Sequence, residues 1–198
     1  MAMSQRAAFL DKDGTLVADV PYNVDPARIV LQPGAVEGLR YLQRAGYLLV
    51  VVSNQSGVAR GYFEEAALIP VEQRIRALLG PAGVRLDGFY CCPHHPEGNV
   101  PAFAVHCLCR KPMPGLLFRA AADLNIDLER SWLIGDILHD IEAGRRADCR
   151  TLLLDNGHET DWHLSAIRTP HEVAPDLAVA AQRILATDDV AVPPHKEG

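Results

Sequence analysis

The sequence predicts an α/β protein with a central parallel sheet. Five short apolar stretches alternate with segments whose apolar residues recur at helical spacing, the pattern of parallel strands joined by right-handed crossovers. The polar residues that stand out, Asp11, Ser53, Lys111 and Asp136, each follow one of those strands. A parallel sheet gathers such residues at one edge, and ligands of open α/β sheets bind there.

Taken in order, Ala7 to Leu10 reads as a buried strand, and Asp11-Lys12-Asp13-Gly14 follows it, the glycine permitting a tight turn. Val17 to Pro33 carries three prolines and reads as a loop with an extended piece at Ile29 to Leu31. Ala35 to Ala45 is a helix by the spacing of Val36, Leu39 and Leu42. Tyr47 to Val52 is an unbroken β-branched run suited to a strand buried on both faces. Phe63 to Leu79 is expected to be helical, Leu86 to Tyr90 a strand, and Cys91 to Pro114 a long loop rich in cysteine, histidine and proline. Helices are expected over Leu116 to Leu124, Ile137 to Arg146 and Ala174 to Leu185, and strands over Trp132 to Asp136 and Thr151 to Leu154. Nothing divides the chain, so one domain is expected over residues 1–187, with a disordered polar tail at 188–198.

At 48% hydrophobic and 22% charged residues the chain has the composition of a soluble globular protein. A net charge of −6 without a long basic run argues against nucleic acid or an anionic membrane as partner. The apolar runs are too short to span a bilayer and the N-terminus lacks a signal core, so a cytoplasmic protein is expected. Nothing compels an oligomer, and a monomer is expected. Five cysteines, four of them in one loop, fit metal ligation better than a disulfide framework.

Asp11 and Asp13, two residues apart, are costly to keep charged without a cation or proton between them. Together with the other strand-end residues they meet the needs of phosphomonoester hydrolysis. Asp11 can be the nucleophile and form an aspartyl phosphate. Asp13 can protonate the leaving oxygen and then deprotonate the attacking water. Asp136 can join Asp11 in holding Mg²⁺, which favours carboxylate oxygen. Lys111 can balance the charge on Asp11, and the Ser53 hydroxyl can donate to a phosphoryl oxygen. A receiver-like phosphoacceptor module uses an aspartate, Mg²⁺ and a lysine in similar positions; the built-in acid/base at Asp13 argues against it.

The segments Asp11 to Leu16 (DKDGTL), Ser53 to Gln55 (SNQ), Arg110 to Pro112 (RKP) and Gly135 to Asp140 (GDILHD) resemble, in order, the four motifs of the haloacid dehalogenase (HAD) superfamily of phosphatases. The resemblance implies a Rossmann-like three-layer α/β/α fold. It implies Mg²⁺ held by Asp11, the Asp13 backbone carbonyl and Asp136, with Asp140 supporting the metal site from behind. Spacing between the segments leaves no room for a large cap domain.

Within the cysteine loop, Cys92-x-His94 and Cys107-x-Cys109 each place two ligands on one side of an extended chain. Together they suit tetrahedral Zn²⁺ in a closed structural site, bracing the loop over residues 91–110. His95 and His106 are alternative ligands; Cys91 continues the apolar strand and is expected to face the core. A HAD core with this loop resembles the heptose-1,7-bisphosphate phosphatases, close relatives of the histidinol-phosphate phosphatases. That resemblance implies removal of the 7-phosphate of a phosphorylated sugar, in the route to nucleotide-activated heptose for lipopolysaccharide and other surface glycans. It also implies substrate contacts from Asp19, Tyr22, Ser53, Asn54, Gln55, Ser56, Arg110 and Lys111. The chain has Ile137 where that family often carries a lysine.

Overall fold

The computed structural model describes residues 4–191. Its strands are β1 (Ala7–Leu10), β2 (Leu48–Asn54), β3 (Gly88–Cys92), β4 (Trp132–Gly135), β5 (Arg150–Leu154) and β6 (Glu172–Ala174). They form one six-stranded sheet in the order β3-β2-β1-β4-β5-β6, every pair parallel. The chain fills one side of β1 and then the other, so β1 and β4 flank the point where the winding reverses. The helices are α1 (Ala35–Arg44), α2 (Gly57–Arg60), α3 (Leu68–Leu79), α4 (Gly115–Leu124), α5 (Leu138–Arg146) and α6 (Leu177–Ala191).

The alternation of side chains along β1 divides the core into two layers. Ala8 and Leu10 face a cluster with Leu39 and Leu42 of α1, Ile75 and Leu79 of α3, and Ala180 and Ile184 of α6. Ala7 and Phe9 face the other side, against Leu116, Leu117 and Ala120 of α4 and Ala143 of α5. Helices therefore cover both faces, which is why β1, β2 and β4 read as continuous apolar runs. No large cap interrupts the described connections; that between β1 and α1 carries a short 3₁₀ turn, Pro26–Arg28, and two isolated bridges.

Several expected boundaries move. The helix expected from Phe63 begins at Leu68, preceded by a 3₁₀ turn at Glu65–Ala67. Pro70 explains this: it is tolerated in the first turn of a helix starting at Leu68, but would lie inside one starting at Phe63, where its ring clashes with the preceding turn. The single turn α2 and the three-residue edge strand β6 were too short to leave a periodic signal. In the extended piece, Leu31 pairs with Val17 in an isolated antiparallel bridge. The last helix runs to Ala191, so residues 188–191 of the expected tail are helical; the remainder of the tail lies outside the described residues.

Phe9 is fully buried and pairs in register with Val50 and Leu133. Phe9→Ala is expected to destabilise the protein by about 3–5 kcal/mol, because the residue beneath the site has no room to collapse. Urea denaturation followed by circular dichroism measures it.

Candidate active site and metal centres

Leu10 pairs with both Val51 and Ile134, so the next residues, Asp11, Val52 and Gly135, lie level at the C-terminal edge of the sheet. The Asp11 N–H donates to the Ile134 carbonyl at 3.0 Å and fixes where the chain leaves β1. Lys111 reaches this point from the long loop after β3. Its backbone is held by the Asn54 side chain, which donates from Nδ2 to the Lys111 carbonyl and accepts the Lys111 N–H at Oδ1, each at 3.0 Å. The Lys111 ammonium then donates to Asp11 Oδ1 at 2.5 Å and to the Val52 carbonyl at 2.9 Å, and lies 2.6 Å from Asp140 Oδ1. The lysine is only 3% exposed and Asp140 is fully buried.

Burial alone would favour a neutral Lys111, but the Asp11 and Asp140 charges outweigh it and hold the ammonium protonated. Burial raises the Asp140 carboxyl, with the Asp11 and Asp136 charges adding to the rise and Lys111 opposing it. Asp140 comes this close to β4 because Gly135 has no Cβ: one there would collide with the Asp140 side chain.

Asp13 is held by two donors, Lys12 Nζ to Oδ1 at 2.6 Å and Gln55 Nε2 to Oδ2 at 3.0 Å. Burial raises its pKa; Lys12 lowers it and the Asp11 charge raises it again, for a net upward shift. Gln55 also donates to Ser53 Oγ at 2.8 Å, so one buried amide ties the serine to the second aspartate. Gly14 turns the chain at φ +79°, and a Cβ there would run into the Asp136 carboxylate and the His158 ring. Asp136 accepts from Thr15 Oγ1 at 3.1 Å on Oδ1 and faces His158 Nδ1 at 2.7 Å on Oδ2. Burial and the Asp11 charge push its pKa up to about 6. Carboxylate oxygens of Asp11, Asp136 and Asp140 all lie within 4.8 Å of one another, a group that could hold a metal ion. Three buried acids gathered around one lysine are short of positive charge, which fits a cation at this place.

Asp11, Asp13, Ser53, Lys111, Asp136 and Asp140 thus converge as the sequence suggested. Other expected residues stand differently. Both polar groups of the Asn54 amide are engaged by the Lys111 backbone rather than turned to a ligand. Asp19 is exposed, and Ser56 is half-buried at the start of α2. Tyr22, at φ +54°, is also exposed, and its ring packs edge-on against Tyr62 with centroids 4.8 Å apart. Arg110 donates to the His94 carbonyl at 3.4 Å and lines a cavity of about 500 Å³ with His95, His106, Lys111 and His139. Thr15, Lys12 and His158 were not anticipated. Thr15 and Lys12 lie inside the first motif and were overshadowed by the acids. His158 sits in a loop whose path no sequence pattern reveals.

The second centre lies in the loop after β3. Cys92, His94, Cys107 and Cys109 bring their ligand atoms together: Cys109 Sγ is 3.1 Å from Cys92 Sγ and 3.3 Å from Cys107 Sγ, and His94 Nδ1 is 3.4 Å from Cys109 Sγ. No disulfide joins them. Four such atoms in mutual contact without a covalent bond fit a tetrahedral metal. His95 and His106 stand outside the group, His95 pairing instead with Arg60 at 3.4 Å. Cys91, on the opposite side of β3 from Cys92, is half-buried along a surface groove beside Phe89 and Tyr90 rather than in the core.

The sheet order and the acid–lysine cluster at its edge define a HAD-type hydrolase, and the HAD-hydrolase-like family matches residues 108–180. The chain is 41% identical to the D-glycero-β-D-manno-heptose-1,7-bisphosphate 7-phosphatase of Yersinia pestis, over 78% of this chain and 82% of that one. It is 38% identical to the enzyme of the same name from Escherichia coli strain K12, over 93% and 91%. Among solved structures, a HAD-like phosphatase from Mesorhizobium loti superposes with a TM-score of 0.82 at 35% identity, covering 98% of this chain and 90% of that one. A D,D-heptose 1,7-bisphosphate phosphatase from B. bronchiseptica, complexed with magnesium and phosphate, gives 0.74 at 29%, covering 92% and 99%. The chain belongs to the D-glycero-β-D-manno-heptose-1,7-bisphosphate 7-phosphatase family. It is a phosphatase. Among the described residues no helix is long and apolar enough to cross a membrane.

Lys111→Met is expected to cost about 3–5 kcal/mol in metal-free protein at neutral pH, because it leaves two buried carboxylates facing each other without their cation. Adding Asp140→Asn to that variant is expected to recover a large part of the loss. Urea titration of the single and double variants checks both.

Proposed function

We propose that the chain removes the 7-phosphate of D-glycero-β-D-manno-heptose 1,7-bisphosphate through an aspartyl phosphate on Asp11. The observation that carries this reading is the Lys111 ammonium, 2.5 Å from Asp11 Oδ1 and buried at the edge of the sheet. It orients the Asp11 carboxylate at the edge of the sheet, where a phosphate would dock. The Asp11 and Asp136 carboxylates and the Asp13 carbonyl would hold Mg²⁺, which supplies positive charge to the phosphoryl oxygens.

The chain's own groups account for the proton traffic. An Asp11 oxygen attacks phosphorus, and the bond from phosphorus to the sugar oxygen breaks. Asp13, its carboxyl shifted upward by burial, gives its proton to that oxygen. Water then attacks the phosphorus and its proton passes to Asp13, while the bond to Asp11 breaks and frees the carboxylate. Ser53 Oγ, fixed by Gln55, donates to a phosphoryl oxygen. Lys111 balances the charge as it moves between Asp11 and the transferring group. The cavity beside Arg110 would take the sugar and its second phosphate, with His95, His106 and His139 on its walls. Cys92, His94, Cys107 and Cys109 would hold a structural Zn²⁺ that fixes the loop carrying Arg110 and Lys111. The product suits a route that activates heptose as a nucleotide sugar for surface glycans, a cytoplasmic task.

Asp11→Asn is expected to lower kcat by roughly 10⁴-fold or more, since it removes the nucleophile; phosphate release measures it, and near wild-type turnover would overturn the assignment. Phosphate release from both heptose bisphosphate anomers and from histidinol phosphate tests the substrate. The β anomer is expected to have a kcat/KM at least about tenfold above the others; a preference for histidinol phosphate would overturn the proposed substrate. Metal analysis is expected to find about one zinc per chain, and its removal by a chelator to lower the Tm.

A further inference from the structure

Beyond β5 the chain crosses the catalytic edge of the sheet as a strap, residues 155–159. Three of its side chains reach three parts of the site. Asn156 Nδ2 donates to the Gly14 carbonyl at 2.8 Å. His158 Nδ1 lies 2.7 Å from Asp136 Oδ2. Glu159 Oε2 accepts the Leu138 N–H, at the start of α5, at 2.6 Å. The strap is thus pinned to the loop after β1, to the acid after β4, and to the helix that carries Asp140.

The middle contact has the most to act on. The Asp136 side chain is 6% exposed and the His158 ring 33%, so their contact is shielded from water on the acid's side. Thr15 Oγ1 holds the other Asp136 oxygen at 3.1 Å. Each carboxylate oxygen therefore has one fixed partner and keeps lone-pair capacity for another. The ring packs where Gly14 leaves space, since a Cβ on Gly14 would strike both the ring and the carboxylate. A solvated surface histidine would not be wedged between a glycine turn and a buried acid.

We propose that His158 is a positioning residue for Asp136: its Nδ1–H holds Oδ2, fixes the rotamer of the carboxylate and thereby sets the affinity of the acid cluster for a divalent cation. The inference rests on the Mg²⁺ reading above. Groups that orient a metal-binding side chain commonly account for 10–100-fold in metal affinity.

Isothermal titration of Mg²⁺ into full-length wild type, His158→Ala, His158→Asn and Asp136→Asn tests it, with the Tm of each recorded. His158→Ala is expected to weaken Mg²⁺ binding by roughly 10-fold or more. Its activity, depressed at low Mg²⁺, is expected to return as Mg²⁺ is raised. His158→Asn can place its amide donor near the position of Nδ1 and is expected to bind within about threefold of wild type. Equal Mg²⁺ affinity in wild type and His158→Ala would overturn the inference while leaving the metal reading intact. So would equal weakening in both His158 variants accompanied by a lowered Tm, the mark of a purely structural role. A wild-type chain that binds no Mg²⁺, or an Asp136→Asn variant that binds it normally, would overturn the metal reading itself and the inference with it.

Discussion

One buried ammonium organises the C-terminal edge of the sheet. Lys111 sits between Asp11 and Asp140 and also donates to the Val52 carbonyl, so it joins β2, the turn after β1 and the helix after β4. A lone charge in this position would be costly. The surroundings are arranged to make it tolerable: two carboxylates face it, Asn54 clamps its backbone, and Gly135 allows Asp140 to approach. The sheet order places these partners side by side, because β1 lies between β2 and β4.

The cysteine cluster serves the same lysine from farther away. Residues 93–114 contain no helix or strand, yet they must deliver Lys111 to a fixed point. Cys92 ends β3, and Cys109 lies two residues before the lysine. Drawing Cys92, His94, Cys107 and Cys109 together ties the loop's end to its beginning, and shortening an irregular loop in this way restricts its freedom. Arg110, between the last cysteine and the lysine, is turned toward the cavity by the same construction.

What could be read from the sequence follows from how local each signal is. Strands buried on both faces leave unmistakable apolar runs, and the strand-end acids were visible because polar residues stood directly after those runs. The Cys-x-His and Cys-x-Cys pairs were legible because two-residue spacing fixes which side of an extended chain they share. Asn54 looked like a ligand contact; that its amide serves the Lys111 backbone depends on a contact between residues far apart in sequence. His158 was invisible for the same reason, since nothing local to its loop indicates that it reaches Asp136. The start of α3 could have been placed from Pro70, whose ring is acceptable only in a first turn.

The stereochemical course at phosphorus tests most directly whether the phosphoryl group passes through a carboxylate of this chain. Hydrolysis of a substrate whose phosphorus is made chiral by oxygen isotopes is predicted to proceed with retention, because two in-line displacements, by Asp11 and then by water, each invert the centre. Net inversion would mean a single direct attack by water and would contradict the aspartyl-phosphate route.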